Sequence, residues 1–94
     1  MYYVYMLRCR DNSLYTGITN NLDKRLRKHN LGKASRYTRV RLPVDIVYME
    51  ECRDKSVALR REREIKGYKK SDKEKMVSEA GIEDPLKLKD PLLN

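Results

Sequence analysis

Tyr2-Tyr3-Val4-Tyr5-Met6-Leu7-Arg8-Cys9, a polar break at Arg10-Asp11-Asn12-Ser13, and Leu14-Tyr15-Thr16-Gly17-Ile18 form the stretch on which the fold turns. Tyrosine, valine, methionine and leucine dominate the first run, as a strand requires, and the break is turn-like, so the two runs read as a β-hairpin. Alternation puts Tyr3, Tyr5, Leu7 and Cys9 on one face of the first strand, with Tyr2, Val4 and Met6 on the other. Tyr15 and Gly17 share a face of the second strand, so Tyr5 and Tyr15 meet across the hairpin if the register permits. Taken alone, such a pair of rings reads as ordinary cross-strand packing.

Downstream of the hairpin, Asn20 or Asn21 offers a cap for a helix that carries Asp23 in its first turn, Leu22 and Leu26 on its inner face, and Gly32 just past its end. At about 100° per residue, Arg25 and His29 fall on the leucine face, the one that must turn toward the sheet. Arg27 and Lys28 point elsewhere. A guanidinium aimed inward needs an anionic partner from protein or ligand, unless it snorkels along the rim. Residues 32–43 show no period, are rich in Arg, Lys and Ser, end at Pro43, and are expected to form a loop. Val44–Glu51 reads as a third strand, and Asp54 opens a second helix that closes at Gly67. Ser71-Asp72-Lys73-Glu74 fits a capping box and predicts a third helix over 72–80, closed by Gly81. On that reading Ser71→Ala costs about 0.5–2 kcal/mol. The expected class is α/β, in its α+β form. The order is β-β-α-β-α-α, a three-stranded antiparallel sheet flanked by helices, as one domain over 1–81. Pro85 and Pro91 mark a tail over 82–94.

At 94 residues the chain has room for one domain and one modest core. Hydrophobic residues make up 39% of it and charged residues 38%, with a mean hydropathy of −0.86. No run approaches the roughly 20 apolar residues of a membrane span, so a membrane partner is not expected. Cys9 and Cys52 are too few for a disulfide framework and lack metal-binding spacing. The chain opens on its first strand, with no basic, cleavable leader. Together these features give a cytoplasmic expectation.

Lys and Arg number 22 against 14 acids, a net charge of +8 that points to an anionic partner, with nucleic acid foremost. The excess is uneven. Over residues 23–41, Lys24, Arg25, Arg27, Lys28, Lys33, Arg36, Arg39 and Arg41 face a single acid, Asp23. That pattern suits a phosphate backbone. Over residues 60–75 eight further bases are interleaved with Glu62, Glu64, Asp72 and Glu74, the pattern of a solvated, locally paired surface. Glu62 sits at the edge of the apolar stripe marked by Ala58 and Leu59, with Lys66 one turn on as an ordinary partner.

Tyr3-Val4-Tyr5, then Tyr15-Thr16-Gly17, then Arg25 eight residues after that glycine, then a helical Glu62 after the third strand, resemble the GIY-YIG nuclease superfamily. More narrowly they resemble its small stand-alone branch. The likeness covers roughly residues 2–75 and extends to Leu14-Tyr15-Thr16-Gly17-Ile18-Thr19 and Ala58-Leu59-Arg60-Arg61-Glu62. It implies metal-dependent hydrolysis of a phosphodiester in DNA, or in RNA, directed by structure rather than sequence. One Mg²⁺ or Mn²⁺ ion would be held by Glu62 as its sole protein ligand. Tyr5 and Tyr15 would be the two motif tyrosines, Arg25 the phosphate-facing arginine, His29 the polar residue one turn later, and Gly17 the small residue permitting close approach. Lys24, Arg27, Lys28, Lys33, Arg36, Arg39 and Arg41 would hold the nucleic acid.

The chemistry agrees with those roles. Positive charge at the phosphate offsets the repulsion met by a nucleophile, and a forked guanidinium supplies it. A single carboxylate is enough for Mg²⁺, which keeps waters and takes phosphate oxygens. A nearby cation can lower a tyrosine pKa far enough for it to accept a proton from water. Which phenol does so is open. Tyr3 replaces the first glycine of the signature, and Ile18 stands where some relatives carry a lysine. The alternative is a catalytically silent nucleic-acid-binding module on the same fold. A monomer is assumed.

Overall fold

The computed structural model describes residues 1–82, so all but the first residue of the expected tail lies outside it. The elements run β1 (Tyr2–Arg8), β2 (Leu14–Thr19), α1 (Leu22–Asn30), α2 (Arg36–Arg39), β3 (Asp45–Cys52), α3 (Lys55–Lys66) and α4 (Lys70–Ala80). The expected α+β class and antiparallel sheet hold. The strand order is β2-β1-β3, which places the most apolar strand in the centre.

Because β1 is central, both sets of its alternating side chains are buried. Val4 and Met6 lie on one face with Cys52, Ala58 and Ile65, so α3 covers that side. Tyr5, Leu7 and Cys9 lie on the other with Val44 and Ile46, beneath Leu22 and Leu26 of α1. A bulge between Met6 and Leu7 in the β1–β3 register leaves Val47 as the extra residue. Val47 and Tyr48 therefore both pack against the α3 side.

Helix boundaries follow local chemistry, with two exceptions. Asn21 caps α1 by accepting the Lys24 N–H at 3.0 Å, and Asp54 caps α3 by accepting that of Val57 at 2.9 Å. Gly32 and Gly81 take the left-handed conformation that ends α1 and α4, with φ of 75° and 68°. The first exception is α2, which interrupts the expected loop. Ser35 caps it by accepting the Thr38 N–H at 3.0 Å. The second is the start of α4. Its cap is Lys69, without a side-chain bond, and Ser71 already lies inside the helix. The capping box does not form, because Glu74 instead takes a forked pair of hydrogen bonds from Arg8 on β1. Ser71→Ala is accordingly not expected to carry the cost of a lost cap. Among the described residues no helix is long and apolar enough to cross a membrane.

Candidate active site

The hairpin register sets the first part of the site. Tyr5 stands opposite Gly17, and Leu7 opposite Tyr15. The Tyr5 ring therefore crosses above Gly17 and reaches Tyr15 diagonally. A Cβ at residue 17 would lie 2.6 Å from the Tyr5 hydroxyl, 2.8 Å from its Cζ and 3.2 Å from Tyr15 Cε2. What the missing side chain admits is thus the Tyr5 phenol itself.

From the helical side, α1 turns Arg25 and His29 inward with Leu22 and Leu26, as its period requires. Arg25 is half-buried and lines a narrow crevice with Tyr5, Leu7 and Ile46. No carboxylate among the described residues forms an ion pair with it. His29 is 1% exposed. Its Nε2 lies 2.9 Å from the Tyr5 hydroxyl, and its Nδ1 lies 2.7 Å from Thr38 Oγ1, which is 2.9 Å from Ser35 Oγ. One proton direction gives every buried donor an acceptor. Tyr5 O–H donates to Nε2, Nδ1–H donates to Thr38, and the Thr38 hydroxyl donates to Ser35. The reverse direction would strand the Tyr5 proton, since that residue is 2% exposed. Ser35 and Thr38 had no signature as site residues, because their part depends on α2 folding back onto His29. Edge-on contacts of the His29 ring with Tyr5 and Tyr15, at centroid distances of 5.9 and 5.3 Å, complete the cluster.

Burial decides the charge states here. Desolvation, followed by the neighbouring Tyr15, raises the Tyr5 pKa well above its ordinary value of 10.0, and the opposing pull of Arg25 is smaller. Tyr5 is a neutral phenol at physiological pH, so the lowering expected from nearby cations is outweighed in the free protein. Desolvation, with Arg25 adding to it, lowers the His29 pKa from 6.5 to about 4.

A stability prediction follows. The unfolded chain takes up a proton at His29 below pH 6.5, whereas the folded chain resists until about 4. Stability is therefore full above 6.5 and is lost as pH falls through that window, by about 2 kcal/mol at pH 5. Urea melts at pH 7 and pH 5 check this alongside the His29 ring shifts. Equal stability, or an imidazolium in the folded protein at pH 5, refutes it.

Glu62 belongs to α3, the helix on the Val4–Met6 face of the sheet. It lies on α3 one turn from Ala58, with its side chain 18% exposed and Lys66 Nζ 3.2 Å away. Glu62 and Arg25 are both near enough to act on the ionisation of Tyr5. Glu64 turns outward to Arg61 and Tyr68. No group of three His, Cys, Asp or Glu among the described residues could cage a metal. A lone, mostly buried carboxylate fits a hard ion that keeps its own waters and fits a caged transition metal poorly. Of the basic residues, Lys24, Arg27, Lys28, Lys33, Arg36 and Arg39 are exposed. Arg41 is engaged internally, donating to Asp11 at 2.9 Å and to the Tyr37 carbonyl at 2.8 Å.

This fold and cluster define a class. The family model of the GIY-YIG catalytic domain matches residues 1–76. A UPF0213 protein of Staphylococcus haemolyticus is 50% identical over 83% of this chain and 95% of its own length. One from Natronomonas pharaonis is 44% identical over 83% and 92%. The solution NMR structure of a UPF0213 protein from Bacillus halodurans matches with a TM-score of 0.56 at 42% identity, covering 86% of this chain and 88% of that one. The chain belongs to the GIY-YIG family and, within it, to the small single-domain UPF0213 proteins.

Proposed function

We propose that this protein is a single-domain endonuclease that hydrolyses a phosphodiester of nucleic acid, DNA ahead of RNA. On this reading it selects by structure and uses one Mg²⁺ or Mn²⁺ ion. The observation that carries the reading is that Tyr15, Arg25 and Glu62 all act on the ionisation of Tyr5, which is bonded to His29, while no carboxylate among the described residues pairs with Arg25. A protein that only binds nucleic acid needs none of the buried members. Two free, buried cysteines accord with a cytoplasmic setting.

In this reading Arg25 places its fork on the oxygens of the scissile phosphate, where charge builds in the transition state. Glu62 would hold the cation, with Lys66 giving up its place. When bound, that ion supplies Lewis acidity at the phosphate and a more acidic bound water. Tyr5 accepts the proton of the attacking water as its own proton passes to His29 Nε2, which the anionic phosphate of a bound substrate makes a stronger base than it is in the free protein. One proton enters the pair and one settles on the imidazole. Thr38 and Ser35 hold the ring in the accepting tautomer. The exposed bases of α1 and the following segment carry the flanking backbone.

Cleavage of a panel of flapped, branched, nicked and single-stranded DNA and RNA in Mg²⁺ or Mn²⁺ tests the reading. No cleavage of any substrate, with binding intact, would leave the silent binding module, which the Glu62–Lys66 pair also suits. The basic residues should divide by role. Arg25→Ala should abolish most cleavage with little loss of binding. Neutralising Arg36 and Arg39 together should weaken binding to all sequences and reduce the salt slope by about 2. Equal effects on both readouts from either change would make Arg25 one more backbone contact.

A further inference from the structure

Beside the cluster lies an open groove of about 240 Å³, lined by Leu14, Tyr15, Thr16, Tyr37, Lys66 and Lys73. Its walls come from β2, α2, and α3 with α4, so only the finished fold creates it. Tyr37 is 38% exposed, yet its ring is held in place. It lies near-parallel to Tyr15, 6.1 Å between centroids at 24°, and the Arg41 guanidinium covers it 3.8 Å from the centroid. Arg41 is in turn anchored to Asp11 and to the Tyr37 carbonyl. The aromatic wall is therefore rigid before any ligand arrives, which lowers the entropic cost of binding. Lys73 is half-buried, and no carboxylate among the described residues pairs with it. Lys66 is held by Glu62.

With Arg41 and Tyr15 against the Tyr37 ring, the wall offers ring edges, and these edges with ammonium groups at hand are complementary to the face of a planar heterocycle that carries a phosphate. The space is below the roughly 300–1,000 Å³ of sites for drug-sized ligands, enough for one base with its sugar and too small for a base pair. We infer that the groove holds one unpaired nucleotide flanking the scissile link, its base against Tyr15 and Tyr37 and its phosphate on Lys73. This rests on the nuclease reading, because Tyr15 and the Lys66–Glu62 pair join the groove to the candidate active site. It also names the substrate class. A strand that leaves the duplex at the cut, as in a flap, branch or loop, fills the groove directly, whereas continuous duplex must first unstack a base.

The test titrates the full-length protein, without added metal, with a short single strand carrying 2-aminopurine and with a blunt hairpin duplex. Binding of the strand should quench the reporter. Its affinity should fall several-fold in Tyr37→Ala and in Lys73→Gln, with duplex affinity unmoved. Tyr37→Phe keeps the ring and should restore the wild-type value, which separates loss of the ring contact from loss of fold. Equal losses for strand and duplex, or a bound strand whose reporter stays bright, overturn the nucleotide site. Binding and cleavage fail separately. Cleavage without any single-strand preference removes the site and leaves the nuclease reading, whereas quenching without cleavage on any substrate retains the site and removes the nuclease.

Discussion

If the protein is the proposed nuclease, Glu62→Gln should leave it folded and lower cleavage by about 10³-fold or more. The fold is spared for local reasons. Gln has nearly the helix propensity of Glu, the amide matches the carboxylate in shape, and the neighbouring buried positions Ala58 and Ile65 are untouched. The change does release Lys66, but that lysine is half exposed and the pair contributes at most about 1 kcal/mol. The proposed cleavage has no such reserve. Among the described residues no group of three His, Cys, Asp or Glu could hold a metal in its place, so on that reading losing the charge of Glu62 should lose the ion. A second readout separates metal binding from chemistry. Wild-type melting temperature should rise with Mg²⁺ or Mn²⁺ in the presence of a phosphate-bearing oligonucleotide, and Glu62→Gln should abolish the rise. Lys66→Gln should sharpen it, since the ammonium now occupying the carboxylate competes with the cation. Metal-dependent cleavage that survives Glu62→Gln would place the ion elsewhere.

Legibility in this chain divides by the range of the interaction that decides each feature. The faces of β1 and α1 repeat every two and every 3.6 residues, so the inward turn of Tyr5, Arg25 and His29 could be read from spacing alone. The caps at Asn21 and Asp54 act across three residues and were equally open to reading. Helix α2 was not, because four residues are too short to display a period, and Ser35 is as much at home in a turn as at a cap. The false capping box at Ser71 has the opposite origin. The local pattern was present, but Glu74 was taken by Arg8, 66 positions away, and a charged forked partner outweighs a backbone N–H. Tyr37, Thr38 and Lys73 belong to the same class of long-range features. Each reaches its place beside the cluster or the groove only once α2 and α4 have formed.

The sharpest test of the site's architecture is Gly17→Ala, a change of one methyl group on an edge strand. Strand propensity by itself favours alanine over glycine by up to about 1 kcal/mol. Steric overlap acts the other way and should win. The new methyl would stand 2.6 Å from the Tyr5 hydroxyl and 2.8 Å from Cζ, distances that nonbonded atoms do not hold. A flexible side chain could swing aside, but Tyr5 is a rigid ring, 2% exposed, with its hydroxyl bonded to His29 at 2.9 Å. Relief must come from moving the ring or bending β2, at a cost of about 1–3 kcal/mol. Either movement breaks the Tyr5–His29 bond or shifts Tyr15, whose Cε2 would lie 3.2 Å from the added carbon. For the proposed nuclease, a displacement near 1 Å should lower cleavage by about 100-fold. The mechanism can be separated from a generic strand defect by pairing the change with Tyr5→Leu. If the overlap with the phenol is the cause, Gly17→Ala costs almost nothing in that background, and the double-mutant cycle returns a coupling close to the full single-mutant loss. An undiminished cost there would show that Gly17 serves the strand rather than the ring, and the case for a built phenol–imidazole pair would lose its geometric support.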